Sequence, residues 1–133
     1  MRCLDSTILV DVLRDLPSAK AKVRNLEEEE PLRATEIGSF ELYLGLQRLG
    51  ESRRTTEESR IKDLLDQMTL LPFERRSAVR AAEIAGAIRR RGQTISLADL
   101  FTAAIALGYG CDTIVTRDIA DFRRVPGLRV ETY

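Results

Sequence analysis

Met1-Arg2-Cys3-Leu4-Asp5-Ser6-Thr7-Ile8-Leu9-Val10-Asp11-Val12-Leu13-Arg14-Asp15 opens the chain and sets its pattern. Residues 1–4 are short and apolar and read as a strand. Asp5-Ser6-Thr7 then interrupts them with turn and capping residues. Residues 8–15 read as a short helix closed by Pro17. This strand–turn–helix unit has a carboxylate at the hand-over, beside an apolar segment.

The alternation continues outward. Residues 18–30 read as a helix opened by Ser18 and stopped by Pro31, and residues 32–35 as a strand. Residues 36–49 have helical spacing, with Ile37, Phe40 and Leu44 on one stripe, and end at Gly50. Residues 55–69 form a polar helix with Ile61, Leu64, Leu65 and Met68 expected inside. Residues 70–73 read as a strand or extended link. Residues 76–91 form an Ala- and Arg-rich helix stopped by Gly92. Ser96 caps an apolar helix over 97–107, ended by Gly108. Residues 113–116 read as a buried strand, with a turn through Asp118, and residues 128–132 as a last strand. Strands alternating with helices predict a single domain over 1–133. Its architecture is a three-layer α/β/α sandwich with a mostly parallel central sheet. In such folds ligands bind beyond the carboxyl ends of the strands.

Composition narrows the chemistry. The 133 residues hold 21 basic and 21 acidic groups and no histidine. That removes Ser-His-Asp and Cys-His catalysis and most zinc sites. No apolar run reaches the roughly 20 residues of a membrane span and no signal peptide is visible, so a cytoplasmic location is expected. Cys3 and Cys111 form no CxxC pair and read as buried free thiols. Charge is unevenly spread. Residues 75–133 carry 10 basic and 6 acidic groups, with Arg89, Arg90 and Arg91 consecutive. Arginine clusters suit phosphate, although a solvated helix face has the same composition.

Four carboxylates stand beside apolar or small residues: Asp5, Glu41, Asp99 and Asp118. Clustered, they would repel one another, and their natural partner is a hard divalent cation, Mg²⁺ or Mn²⁺. Each has a competing role. Asp5 can cap a helix, although Ser6 and Thr7 serve as well. Glu41 falls near Ile37 and Leu44, with Gly38 and Gly45 leaving space beside it. Asp99 fits a capping box with Ser96, yet its helix face of Thr102, Ala103 and Ala106 suggests a pocket. Asp118 can end a turn, as can Asp121, and spacing alone does not separate them. Asp11, Asp15, Asp63 and Asp66 read as solvated helix charges.

Four segments in order carry a resemblance: Leu4-Asp5-Ser6-Thr7, Phe40-Glu41-Leu42-Tyr43-Leu44-Gly45, Ile95-Ser96-Leu97-Ala98-Asp99, and Ile114-Val115-Thr116-Arg117-Asp118-Ile119-Ala120-Asp121-Phe122. Over essentially its whole length the chain resembles a PIN domain, specifically a VapC-type toxin ribonuclease. The resemblance implies a PIN-like fold and metal-dependent endonucleolytic cleavage of structured RNA, transfer or ribosomal. It implies an acidic cluster of Asp5, Glu41, Asp99 and Asp118, with Asp121 as the other candidate for the fourth position. It also implies a homodimer and a cognate antitoxin. Gly38 stands where the family often has Thr.

On chemical grounds Asp5 and Asp99 are expected to hold the metal. Glu41 and Asp118 either bind a second ion or orient the attacking water. Thr116 is expected to steady Asp5 or a water, Arg117 to contact the scissile phosphate, and Arg89, Arg90 and Arg91 to extend the RNA track. A phosphatase would need a second Asp where Thr7 stands. A receiver-like module would need a Lys toward the C-terminal side, and the second half of the chain has none. A non-catalytic PIN-like partner-binding module is the remaining alternative.

Overall fold

Short runs of consecutive apolar residues, such as Ile114-Val115, predict a sheet covered on both faces, and the computed structural model, which describes Met1–Tyr133, has that form. Strands β1 (Arg2–Leu4), β2 (Arg33–Thr35), β3 (Thr69–Leu71), β4 (Thr113–Val115) and β5 (Arg129–Glu131) make one sheet in the order β3-β2-β1-β4-β5. Every pairing is parallel, with Leu4 opposite Ala34 on one side and Val115 on the other.

Successive side chains divide between the two faces. Leu4 and Val115 join Ile8 and Leu9 of α1 (Ser6–Leu13), Leu26 of α2 (Pro17–Glu29), Leu42 of α3 (Glu36–Leu46) and Ile61 of α4 (Glu51–Leu65). Cys3 and Ile114 join Ile84 and Ile88 of α5 (Arg75–Arg90), Ala103 of α6 (Leu97–Gly108) and Phe122 of α7 (Ile119–Phe122). Each fully buried Leu or Ile contributes about 1.5–3 kcal/mol, so both layers are held by ordinary apolar packing. Cys3 and Cys111 are buried free thiols, as expected.

Several boundaries differ from the sequence expectation. Pro17 opens α2 at its first turn, where a missing N–H costs nothing. It is Asp15, at φ 59°, that turns the chain after α1. Helix α4 starts at Glu51 rather than residue 55, and α7 was not expected at all. Gly108 lies inside α6, and the reversal falls at Gly110, at φ 82°. The stripe of Ile37, Phe40 and Leu44 is not the buried face of α3. Phe40 is 60% and Leu44 49% exposed, while Gly38, Ser39, Leu42 and Leu46 face inward. Met68 is only half-buried. Thr102, Ala103 and Ala106 open no pocket; they are fully buried, and their small size lets α6 pack closely into the core.

Candidate active site

The chain runs β1→β2→β3 toward one edge and β4→β5 toward the other, so the direction of winding switches between β1 and β4. Asp5 follows β1 at that point, and Thr116-Arg117-Asp118 follows β4. Asp5 N–H still donates to the Val115 carbonyl at 3.0 Å, which keeps the two strand ends in register. The N-terminus of α6 brings Asp99 to the same end of the sheet, and α3, following β2, brings Glu41.

Asp5 is 2% exposed. It occupies the N-cap position of α1, but its side chain makes no capping bond. Its Oδ2 instead accepts the hydroxyls of Thr116 at 2.8 Å and Thr7 at 3.0 Å. Thr116 therefore holds Asp5, one of the two roles its position suggested. Thr116 Oγ1 also accepts the Asp118 N–H at 2.9 Å, and Thr7 Oγ1 accepts the Arg117 N–H at 3.0 Å. Burial pushes the Asp5 carboxyl up, and these hydrogen bonds pull against it.

Asp99 is 9% exposed. Ser96 Oγ accepts the Asp99 N–H at 3.3 Å, which is half of the expected capping box. The other half is taken elsewhere: the Ser96 N–H donates to Asp121 Oδ2 at 3.0 Å. The Asp99 carboxylate is thereby left to the cluster. Carboxylate oxygens of Asp99, Asp118 and Asp121 all lie within 4.8 Å of one another. Burial, a hydrogen bond shared with Asp121 and the charge of Asp5 push the Asp99 carboxyl up to about 8. Asp121 is held low, its burial outweighed by the Ser96 N–H and the shared bond with Asp99. The pair thus shares one proton.

Glu41 stands outside this triplet. Its Oε1 accepts the Ser6 hydroxyl at 3.0 Å, and half-burial and then the charge of Asp5 raise its carboxyl. Asp5 thus acts electrostatically on both Glu41 and Asp99. Glu41 also lines a groove of about 500 Å³ between α1, α3 and α4, with Val10, Leu13, Leu44 and Leu49 in its walls. Gly45 opens onto that groove, whereas Gly38 faces Leu9 and Thr35.

The basic residues fall on the α6 side. Arg89, Arg90 and Arg91 end α5 and are exposed. Helices α5 and α6 form an antiparallel hairpin, so this end of α5 lies beside the start of α6. Arg91 donates to the Arg124 carbonyl, and Arg124 pairs with Asp121 at 3.2 Å. Arg124 carried no signal in the sequence, because its pairing depends on the unforeseen α7. One nitrogen of the Arg117 guanidinium bonds both oxygens of Asp11, at 2.8 and 3.0 Å, and the side chain stays more than half exposed. Asp11, read as a solvated charge, is 2% exposed.

Three converging carboxylates with a fourth beside them offer hard oxygen donors and excess negative charge, and this donor set fits a divalent cation. The PIN domain family model matches residues 2–128, and the chain belongs to the PIN domain family. A search of the curated proteins returned no match. Among solved structures, the fold is similar to VapBC2 from Rickettsia felis bound to a DNA fragment from their promoter. The TM-score is 0.89 at 21% identity, covering 99% of this chain and 98% of that one. It is also similar to FitAcB from Neisseria gonorrhoeae, with a TM-score of 0.87 at 26% identity, covering 98% and 96%. DNA-bound VapBC from Salmonella typhimurium gives 0.85 at 20% identity, covering 98% and 96%.

Proposed function

We propose that this protein is a metal-dependent endoribonuclease, the toxin of a toxin–antitoxin pair, hydrolysing phosphodiester bonds in structured RNA such as transfer or ribosomal RNA. The observation that carries the reading is the convergence of Asp99, Asp118 and Asp121 within 4.8 Å, beside buried Asp5, at the switch point of a parallel sheet. Asp5 and Asp99 would hold Mg²⁺ or Mn²⁺, with Asp118 and Asp121 both in reach as the fourth acidic group. Such an ion supplies a more acidic water and charge relief on the phosphate. Glu41 and Asp118 either complete a second ion site or accept the proton of the attacking water. Thr116 fixes Asp5 through its hydroxyl. Arg117, held to α1 through one guanidinium nitrogen, contacts the scissile phosphate, and Arg89, Arg90 and Arg91 grip the RNA backbone as it passes the α6 side of the site.

Partner surfaces support the same reading. The groove that reaches Glu41 combines apolar walls with Arg14, Arg48 and Glu57, a lining that suits an amphipathic antitoxin helix. Phe40 and Leu44 are exposed beside it, and Phe73, Val79 and Leu97 are exposed elsewhere, providing apolar area for a homodimer. No helix is long and apolar enough to cross a membrane; the proposed site of action is the cytoplasm.

The test is cleavage of total RNA by purified, antitoxin-free protein with Mg²⁺, with Mn²⁺ and with chelator. Discrete, metal-dependent bands that vanish in Asp5→Asn are expected. Absent cleavage together with no Mn²⁺ binding would favour the non-catalytic partner-binding reading, and cleavage that persists in chelator would contradict metal dependence.

A further inference from the structure

Asp11 lies buried on α1, and neither the capping of that helix nor the acidic cluster uses it. Its oxygens take the Arg117 guanidinium, and Oδ2 also accepts the Tyr133 hydroxyl at 2.5 Å. A carboxylate buried without partners costs several kcal/mol. Here the sheet delivers both partners, because β4 lies beside β1 and β5 beside β4.

Arg117 sits between Thr116 and Asp118, both in the site. The Asp118 side chain makes no capping bond, so the backbone of this turn decides where its carboxylate is offered. The Thr116 N–H is held by the Glu131 carbonyl at 3.0 Å and the Asp118 N–H by Thr116 Oγ1, and three further bonds tie the turn to the end of β1 and to α1. Thr116 Oγ1 is bonded to Asp5, the Arg117 N–H to Thr7, and the Arg117 guanidinium to Asp11. The first two belong to the site itself. The third reaches one helical turn further along α1, from Thr7 to Asp11.

We propose that Asp11 is a positioning residue for the acidic site: by holding Arg117 against α1, it fixes the turn that presents Asp118 beside Asp99 and Asp121. Asp11 touches neither ion nor substrate and acts only through Arg117. The Tyr133 hydroxyl fixes the orientation of the Asp11 carboxylate.

The first readout needs neither metal nor RNA. Amide hydrogen exchange, followed by NMR, reports on the Arg117 and Asp118 N–H groups, both of which donate to threonine hydroxyls. Asp11→Asn should speed exchange at these two amides by about tenfold while leaving Leu4 and Ala104 at wild-type rates. Tyr133→Phe keeps the ion pair and should give the same pattern at about threefold, a second route if Asp11→Asn does not fold. Wild-type rates at 117 and 118, or faster exchange throughout the sheet and α6, would overturn the proposal. The second readout rests on the ribonuclease reading. Mn²⁺ affinity should fall by about tenfold in Asp11→Asn and in Arg117→Gln, and no further in the double variant. Additive losses would overturn it. If the wild type takes up no Mn²⁺, the ribonuclease reading fails, and the exchange rates alone decide the role of Asp11.

Discussion

Asp99 holds a proton to about pH 8, first because it is buried, then because it shares a hydrogen bond with Asp121 and faces the charge of Asp5. In the unfolded chain the same group ionises near its ordinary value of 3.8. Between those two values the folded state binds more protons than the unfolded state. Stability from this group therefore falls as pH rises from about 4 to 8. The carboxyls of Asp5 and Glu41 are raised in the same direction and act with the same sign. Asp99→Asn should raise the stability of the metal-free protein at pH 8 by about 1–2 kcal/mol, read from thermal unfolding, while abolishing cleavage. A variant less stable than wild type would mean that the charge is already compensated within the protein. Asp5, Glu41 and Asp99 were legible in the sequence because each interrupts an apolar or small-residue context. Asp11 was not. A single acid on a short helix looks solvated, and its partners lie 106 and 122 residues away.

At the scale of elements, the alternation of strands and helices was readable because most strands are short and apolar at their centres and most helices are bounded by Pro or Gly. What local signals missed depends on tertiary placement. Pro17 punctuates the α1–α2 junction equally well as an end or a beginning. The spacing of Ile37, Phe40 and Leu44 defines an apolar stripe, but packing against α1, α4 and α6 turns a different face inward and leaves Phe40 and Leu44 exposed. Helix α7 is four residues long, too short for periodicity to announce it. Helix α5 offers a test of how loosely its outer side is constrained. Gly86 is mid-helix, and a Cβ there would meet only the mobile end of Arg90, at 3.4 Å. Gly86→Ala should stabilise the fold by about 0.5–1 kcal/mol, measured by urea unfolding, with cleavage unchanged. A destabilised variant would show that this face of α5 is packed more tightly than the geometry indicates.

The whole molecule has one chemical end, defined by the switch of winding between β1 and β4. Carboxylates from the end of β1, the turn after β4, α3 and α6 collect there, and the basic end of α5 flanks them. This assembly was partly legible: the order of motifs indicated which residues would meet. The choice between Asp118 and Asp121 was not, and the fold brings both to Asp99 because the turn after β4 runs directly into α7. These carboxylates form a divalent-cation site if calorimetric titration of the metal-free protein with Mn²⁺ shows saturable binding. The proton shared by Asp99 and Asp121 leaves as the cation binds. The heat should therefore vary with the ionisation enthalpy of the buffer, corresponding to release of about one proton, and both binding and release should be lost in Asp99→Asn. Absence of binding, or binding that Asp99→Asn leaves unchanged, would contradict the account.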